Sequence, residues 1–373
     1  MRVFFATGEA SGDMLAAALA TAMRRLVADV RFAGIGSERM AAAGVALTTS
    51  TAGWGGMGPL EALRRIPSLF VNAWRHALWL RWSPWDLVVL VDFGAYNLRF
   101  AKTLRLLGYR GEILYFVPPG AWFDREAQAR AVARYARALT PFAHQRDFYR
   151  SLGLPVAYFG HPLASLVEPR VPRPPAPPDG GAIAILPGSR RGEIERHVPP
   201  LLAACRILRR TRPHATFAVG VADADARRSI ERALRGATLP GLHFVAGARA
   251  ALDGADAAWI ASGTAVLEAA LREVPAVALY VIAQAQVPIA KRVWGKRFIT
   301  LPNILLDRAV VPELVQDAAT PEALAAALEA LLAEPAAQLA GLRDVRAALG
   351  DAAALERCAA YAVALASGTP VAA

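Results

Sequence analysis

One rhythm constrains this chain more than any other feature: a short apolar run, a turn bearing glycine or serine, then an amphipathic helix, repeated on both sides of a proline-rich break. Runs such as Leu87-Val88-Val89-Leu90-Val91 and Ala182-Ile183-Ala184-Ile185-Leu186 lack the polar alternation of a half-solvated strand. They suit parallel strands covered on both faces. The spacing predicts strands at 2–6, 30–34, 86–91, 112–117 and 156–159, and again at 182–186, 215–219, 242–245, 257–261 and 276–281. Strands alternating with helices of this length form βαβ units, so the expected fold class is α/β, with two Rossmann-like doubly wound domains facing a cleft. Ligands of such sheets bind beyond the carboxyl ends of the strands.

The break is residues 169–178, PRVPRPPAPP, with six prolines in ten positions. Such a stretch forms neither helix nor central strand and reads as a stiff connector. The expected organisation is an N-terminal domain at 1–168, a linker at 169–181 and a second domain at 182–345. A C-terminal helix at 346–373 would either return to the first domain or be exchanged in a dimer.

A content of 55% hydrophobic and 20% charged residues excludes global disorder. Two cysteines, Cys205 and Cys358, exclude a disulfide framework and a Cys-rich zinc site. The formal charge is +11, and all but three of the 42 basic residues are arginine. A positive field suits nucleotides, sugar phosphates or an anionic membrane surface. No zinc-finger, homeodomain or RNA-recognition signature is present, so nucleic acid is not an expected partner. The N-terminus does not read as a signal peptide, because Gly8, Glu9 and Asp13 interrupt it early. The longest uncharged apolar stretch, 274–290, is broken by Pro275, Gln284, Gln286 and Pro288, and reads as strand and loop rather than a membrane span. A soluble or peripheral protein is expected.

Four turns carry candidate chemistry. Gly8-Glu9-Ala10-Ser11-Gly12-Asp13 follows the first strand; its glycines permit close backbone approach, and helix-start amides favour an anionic or hydroxyl-rich ligand. The strand 86–91 runs into Asp92-Phe93-Gly94-Ala95-Tyr96-Asn97, which puts a carboxylate where a general base is expected, although Asp92 could equally cap the following helix. Leu186-Pro187-Gly188-Ser189-Arg190-Arg191-Gly192-Glu193 offers backbone amides and two cations to a diphosphate, and is too short for a Walker motif. Ser262-Gly263-Thr264 opens a helix as an anion cradle, with Glu268 one turn on and on the same face, where a carboxylate can accept ribose hydroxyls.

Residues 59–85 hold four of the eight tryptophans, Trp74, Trp79, Trp82 and Trp85, among Arg64, Arg65, Arg75 and Arg81. Phe70, Trp74, Leu78 and Trp82 recur at intervals of four and make one helical stripe. The stripe suits a membrane interface, with rings among headgroups and arginines on lipid phosphates; a core-facing amphipathic helix is the other reading.

Taken in order, these stretches resemble the lipid-A-disaccharide synthases, inverting glycosyltransferases of GT-B architecture. The matching segments are GEASGD (8–13), GIGSERMAAAG (34–44), MGPLEALRRIP (57–67), FGHPLA (159–164), LPGSRRGEIE (186–195), ASGTAVLEAAL (261–271), AKR (290–292), LPNILLDR (301–308) and VPELVQ (311–316). The resemblance implies transfer of 2,3-diacylglucosamine from its UDP derivative to 2,3-diacylglucosamine 1-phosphate, making a β-1,6 disaccharide. It implies a UDP-sugar donor on the second domain, served by Gly188, Ser189, Arg190, Ser262, Gly263, Thr264, Glu268 and Asn303. It implies a lipid sugar phosphate acceptor on the first, near Gly8, Glu9, Ser11, Gly12, Asp13, Asn97, Trp122 and Arg125, with Asp92 as base and Arg190 at the leaving group. It further implies no metal or other cofactor, and membrane contact through Phe70, Trp74, Trp79, Trp82 and Trp85. A peripheral place at the inner face of the cytoplasmic membrane and a homodimer sharing C-terminal helices, from residues 321–367, complete the expectation.

The chain also departs from the family pattern. The signature Asp-x-x-Asp-Phe-Asn is here Asp92, Ala95, Tyr96, Asn97, so the second acid is absent. A Ser-Pro-Ser-x-Trp-Ala-Trp-Arg stretch is here Pro118-Pro119-Gly120-Ala121-Trp122-Phe123-Asp124-Arg125, and a Tyr-Arg pair is Val281-Ile282. Three readings stay open at this point: the transferase, a GT-B relative with another acceptor or epimerase chemistry on a UDP-sugar, and a non-catalytic binder of nucleotide sugar or lipid.

Overall fold

The structure, a computed structural model, describes residues 1–51, 54, 59–120, 125–171, 174, 176–287 and 298–369. The chain forms two α/β units, one of Met1–Leu166 completed by residues from Leu349 onward, the other of Val167–Ala348.

Unit 1 is built on seven parallel strands: β1 (Arg2–Ala6), β2 (Arg31–Gly36), β3 (Ala46–Ser50), β4 (Leu87–Val91), β5 (Glu112–Phe116), β6 (Arg137–Thr140) and β7 (Val156–Tyr158). Their order is β3-β2-β1-β4-β5-β6-β7. β4 is buried along its whole length, as its unbroken apolar sequence requires. β3 is the contrast, a sheet-edge strand in which exposed and half-buried residues alternate. Parallel connection demands crossover helices. Among the described residues up to Leu166 the helices are α1 (Ala10–Leu26), α2 (Glu38–Ala42), α3 (Pro59–Trp82), α4 (Gly94–Leu106), α5 (Glu126–Tyr135), α6 (Ala143–Ser151) and α7 (Leu163–Leu166). Register pairs Ala6 with Leu90, so β1 and β4 end side by side and their loops leave from the same edge. The order of strands reverses between these two, which makes this the switch point of the sheet.

Unit 2 repeats the plan with β8 (Ala182–Leu186), β9 (Thr216–Val221), β10 (Leu242–Ala246), β11 (Ala257–Ala261), β12 (Ala276–Tyr280) and β13 (Glu313–Val315). Their order is β10-β9-β8-β11-β12-β13, and the switch point lies between β8 and β11. Leu186 pairs with Ile260, so these strands too end together. α8 (Arg191–Thr211) follows β8, α9 (Ala224–Leu234) follows β9, α10 (Gly247–Asp253) follows β10 and α11 (Thr264–Leu271) follows β11. The end of the proline-rich stretch packs onto this unit, with Arg212 Nη1 donating to the carbonyls of Pro177 (3.0 Å) and Gly180 (2.9 Å).

The last helix, Ala354–Ala366, packs on α1 in unit 1. Leu355 N donates to Ser165 Oγ (2.9 Å), and His161 N donates to Leu349 O (2.7 Å), fastening the returning chain. Among the described residues no single helix is long and apolar enough to cross a membrane. One pair, Pro321–Ala333 with Ala336–Ala366, passes on length and composition but is bent by 89°, and Leu324 and Leu328 of its first helix lie in the unit 2 core.

Helix α3 turns Ala73, His76, Ala77 and Leu80 inward and leaves Phe70, Val71, Trp74, Leu78 and Trp82 exposed. The stripe read from the sequence is therefore the outer face of this helix, not its core face. Trp85 departs from the membrane expectation. It is packed onto the core, its ring 5.9 Å from Phe4 and 5.3 Å from Trp79. Trp79 is also exposed, at 42%, yet its ring stands edge-on to Phe4 at 5.9 Å.

Candidate active site

In unit 1 the loops after β1 and β4 meet. Gly8 is buried, and a Cβ there would overlap the ring of Phe93, so only glycine lets the two loops close on each other. Asp92 and Phe93 both occupy the left-handed region, at φ 49° and 48°. For non-glycine residues that conformation costs roughly 1–3 kcal/mol each and persists only where surroundings enforce it. The enforcement is visible. The carbonyl of Asp92 accepts from Tyr115 Oη (3.0 Å) and from Asn97 Nδ2 (2.9 Å), while its N–H donates to Phe116 O (3.2 Å). Asp92 itself is half-buried, so a rigid backbone presents a carboxylate at the edge of the sheet. The neighbouring strand ends in the same style. Val117 has φ 60°, and Gln145 Nε2 donates to the carbonyls of Pro118 (3.2 Å) and Pro119 (3.1 Å).

Two residues expected to meet the acceptor are committed elsewhere. Asp13 is 2% exposed; its Oδ1 accepts from Ser37 N (2.6 Å) and its Oδ2 from Arg39 N (3.0 Å), so it caps α2. Asn97 is fully buried, and its Nδ2 reaches the carbonyls of Ala6 (3.1 Å), Val91 (3.1 Å) and Asp92, stapling the ends of β1 and β4. Both are structural supports of the edge. Glu9 and Ser11 stay half-buried there, Gly12 is buried against it, and Arg125 is exposed at the start of the helix Glu126–Tyr135. Trp122 lies outside the described residues, as does the segment 290–292.

In unit 2 the turns after β8 and β11 lie side by side. Gly188 has φ 110°, and a Cβ on it would come within 2.9 Å of Glu193 and 3.6 Å of Ala261. Ser189 is exposed, and the half-buried Arg190 pairs through Nη1 with Glu193 Oε1 at 2.9 Å. Gly263 opens onto free space, with Thr264 and Glu268 half-buried beside it on α11. Ser262 is partly spent, its Oγ donating to Ile299 O (2.9 Å).

Asn303 corrects the expectation of a donor contact. It is 1% exposed; Nδ2 donates to Val311 O and Glu313 Oε1, and Oδ1 accepts from Val310 N and Val311 N, all at 2.8 Å. An amide has two donors and two lone pairs, and all are used. Its partner Glu313, which sequence reasoning passed over, also accepts from Thr300 N (2.9 Å), Thr300 Oγ1 (2.7 Å) and Ile299 N (3.0 Å). Glu313 thus anchors the segment that in turn holds Ser262. His197 was also missed. It is buried without exposed surface on α8; its ring joins Pro187 O (2.8 Å, through Nδ1) to Val281 N (2.9 Å, through Nε2). A histidine on the inner face of a helix gives no sequence signal that separates a brace from core packing. Among the described residues no group of three His, Cys, Asp or Glu side chains is arranged to hold a metal ion.

Comparison with known proteins agrees with this layout. The family profile described as Lipid-A-disaccharide synthetase matches residues 3–363. The chain is 36% identical to the lipid-A-disaccharide synthase of Pseudomonas aeruginosa strain UCBPP-PA14 over 91% of both chains. It is 34% identical to that of Myxococcus xanthus strain DK1622 over 96% of both. A solved structure of S. aureus MnaA with UDP superposes with a TM-score of 0.67 at 12% identity, covering 99% of this chain and 98% of the other, a likeness of fold. The fold is GT-B, and by its sequence the chain belongs to the lipid-A-disaccharide synthetase family.

Proposed function

We propose that this glycosyltransferase moves 2,3-diacylglucosamine from UDP-2,3-diacylglucosamine to 2,3-diacylglucosamine 1-phosphate with inversion, forming a β-1,6 bond. The observation that carries the reading is Asp92, a half-buried carboxylate on a strained, doubly hydrogen-bonded backbone at the switch point of unit 1. In this reading the Asp92 carboxylate takes the proton from the acceptor 6-hydroxyl as its oxygen attacks the anomeric carbon. The bond from that carbon to the β-phosphate oxygen breaks, and UDP leaves with the electron pair. Negative charge gathers on the diphosphate, where the Gly188–Ser189 amides, Arg190 and the start of α11 supply donors. Glu268 takes the ribose hydroxyls. The reading assigns no metal or other cofactor.

The acceptor is a lipid, so the reaction belongs at a membrane surface. The exposed face of α3, with Phe70, Trp74 and Trp82 beside arginines, supports peripheral attachment to the anionic inner face of the cytoplasmic membrane. A second reading keeps the fold and changes the acceptor. It is favoured by Ala95, where the family pattern has an acid, and by the altered stretch 118–125.

The test is a mass-spectrometric product assay in mixed micelles with donor and acceptor, run beside a reaction lacking acceptor. The transferase yields a tetraacyl disaccharide phosphate with UDP released in step, and Asp92→Asn and Arg190→Ala each slow its formation strongly. Donor binding without disaccharide selects the second reading. Conversion of donor alone to an epimer removes the transferase.

A further inference from the structure

The end of β12 is a fixed post. Past Tyr280 the main chain has left the sheet, yet Val281 and Ile282 have all four backbone polar groups bound by side chains. Val281 N donates to His197 Nε2 (2.9 Å), and Val281 O accepts from Arg196 Nε (2.8 Å). Ile282 N donates to Gln316 Oε1 (2.6 Å), and Ile282 O accepts from Gln316 Nε2 (3.4 Å). The turn Pro187-Gly188-Ser189-Arg190 leads from β8 into α8, and Gly188 sits in it at φ 110°, a conformation that favours glycine. The imidazole of His197 links it to the post. Because Val281 N is a donor, Nε2 must be the unprotonated nitrogen, which puts the proton on Nδ1, pointing at Pro187 O.

We propose that His197 is a positioning residue for diphosphate binding: it braces the β8–α8 turn against the end of β12 and so fixes the spacing of the amides at Gly188 and Ser189. This rests on the reading that the turn takes the donor diphosphate. His197 does not touch the ligand. Its effect is to remove the ordering cost that a free glycine turn would pay on binding. Burial pushes the imidazole below its ordinary pKa, which keeps the neutral, one-donor, one-acceptor form that the bridge needs.

Two substitutions divide the bridge. In His197→Asn the amide nitrogen falls near the place of Nδ1 and keeps the bond to Pro187 O while losing Val281. In His197→Gln the amide oxygen falls near Nε2 and keeps Val281 while releasing the turn. His197→Phe keeps the ring and loses both. UDP binding to the full-length protein is measured by isothermal titration near pH 7.5, with thermal unfolding alongside. His197→Phe and His197→Gln weaken UDP binding by about tenfold, one lost hydrogen bond's worth, and His197→Asn stays within about threefold of the parent. UDP affinities of the folded variants all within twofold of the parent overturn the proposal, as does a loss that follows the unfolding temperature and ignores which half of the bridge is kept. If His197→Phe fails to fold, the Asn and Gln pair decides alone. A parent chain that does not bind UDP sinks the donor reading and this inference together, whereas a parent that binds beside unaffected variants sinks the inference only.

Discussion

The hydroxyl of Tyr115 donates to the main-chain carbonyl of Asp92 across 3.0 Å, from a ring with no exposed surface. Asn97 donates to the same oxygen. The peptide after Asp92 is thus held from below by two buried donors, in a left-handed conformation that neither Asp92 nor Phe93 would choose freely. Where an acid sits on a backbone so constrained, removing its charge and removing its support have separable effects.

Asp92→Asn is expected to lower turnover by about 10²–10⁴, the usual range for a lost general base. Stability should hold or rise slightly, because asparagine is enriched in the left-handed region. Tyr115→Phe should do the reverse: about 1 kcal/mol less stability, and less than tenfold in rate, since Asn97 still holds the carbonyl. Urea unfolding beside initial rates checks both. If Asp92→Asn keeps parental turnover, the base is another group.

His161 gives the pH dependence. Its ring is buried against Phe142, and its Nδ1 accepts from Leu163 N (3.1 Å), so the proton of the neutral form sits on Nε2. Burial pushes its pKa down to about 3, from an ordinary 6.5. Above 6.5 neither the folded nor the unfolded chain binds this proton, and the group makes no difference. Between 6.5 and about 3 only the unfolded chain takes it up, so stability falls as the pH falls, by at most about 1.4 kcal/mol per unit for this one group. His76 and His197 are shifted the same way by burial and add to the slope. His161→Asn offers an acceptor to Leu163 N and does not titrate. Urea unfolding at pH 7.5, 6.5, 5.5 and 4.5 should therefore show a shallower loss in the variant. Parallel curves would mean that His161 is solvated in the native state.

What the sequence reveals of this molecule follows from where each signal resides. Strands buried on both faces, such as β4 and β8, announce themselves by unbroken apolar runs. The edge strand β3, ALTTS, is half-polar because it is half-exposed, and β6 and β13 have only four and three residues, too few for any period. The turns at the strand ends are legible because they need glycine and serine whatever they bind. What the sequence hides is the direction of each polar side chain. Asp13, Asn97 and Asn303 have the residue types of ligand contacts, yet each bonds within the fold, Asp13 and Asn97 to backbone groups and Asn303 to a carboxylate as well. Asp13 answers to Ser37, 24 residues on, and Asn97 to Ala6, 91 residues back. Asn303 instead answers to Glu313, ten residues on. The same carboxamide can cap a loop or hold a sugar, and only the fold decides which.

The last prediction concerns α3, where exposure separates two kinds of tryptophan. Trp82 is 77% exposed with the Arg81 guanidinium 4.6 Å above its ring, and Trp74 is 48% exposed about two turns earlier. Phe70 continues the line, with Arg99 at 5.7 Å. Trp85, by contrast, is wedged between Phe4 and Trp79. Transferring an exposed tryptophan into a headgroup region stabilises binding by about 1–2 kcal/mol for a partly buried ring, or about tenfold in partition. Trp74→Ser and Trp82→Ser should each weaken sedimentation with phosphatidylglycerol-rich vesicles by about that factor. Their unfolding free energies should stay within about 0.5 kcal/mol of the parent, because both positions lie on the exposed face of α3. Trp85→Ser should do the opposite, costing about 3 kcal/mol of stability while the folded fraction still binds vesicles. High salt should weaken the parent's binding only in part, since the arginines are screened and the rings are not. Vesicle binding untouched in the Trp74/Trp82 double variant would remove α3 as the membrane face and leave its exposed stripe to another partner.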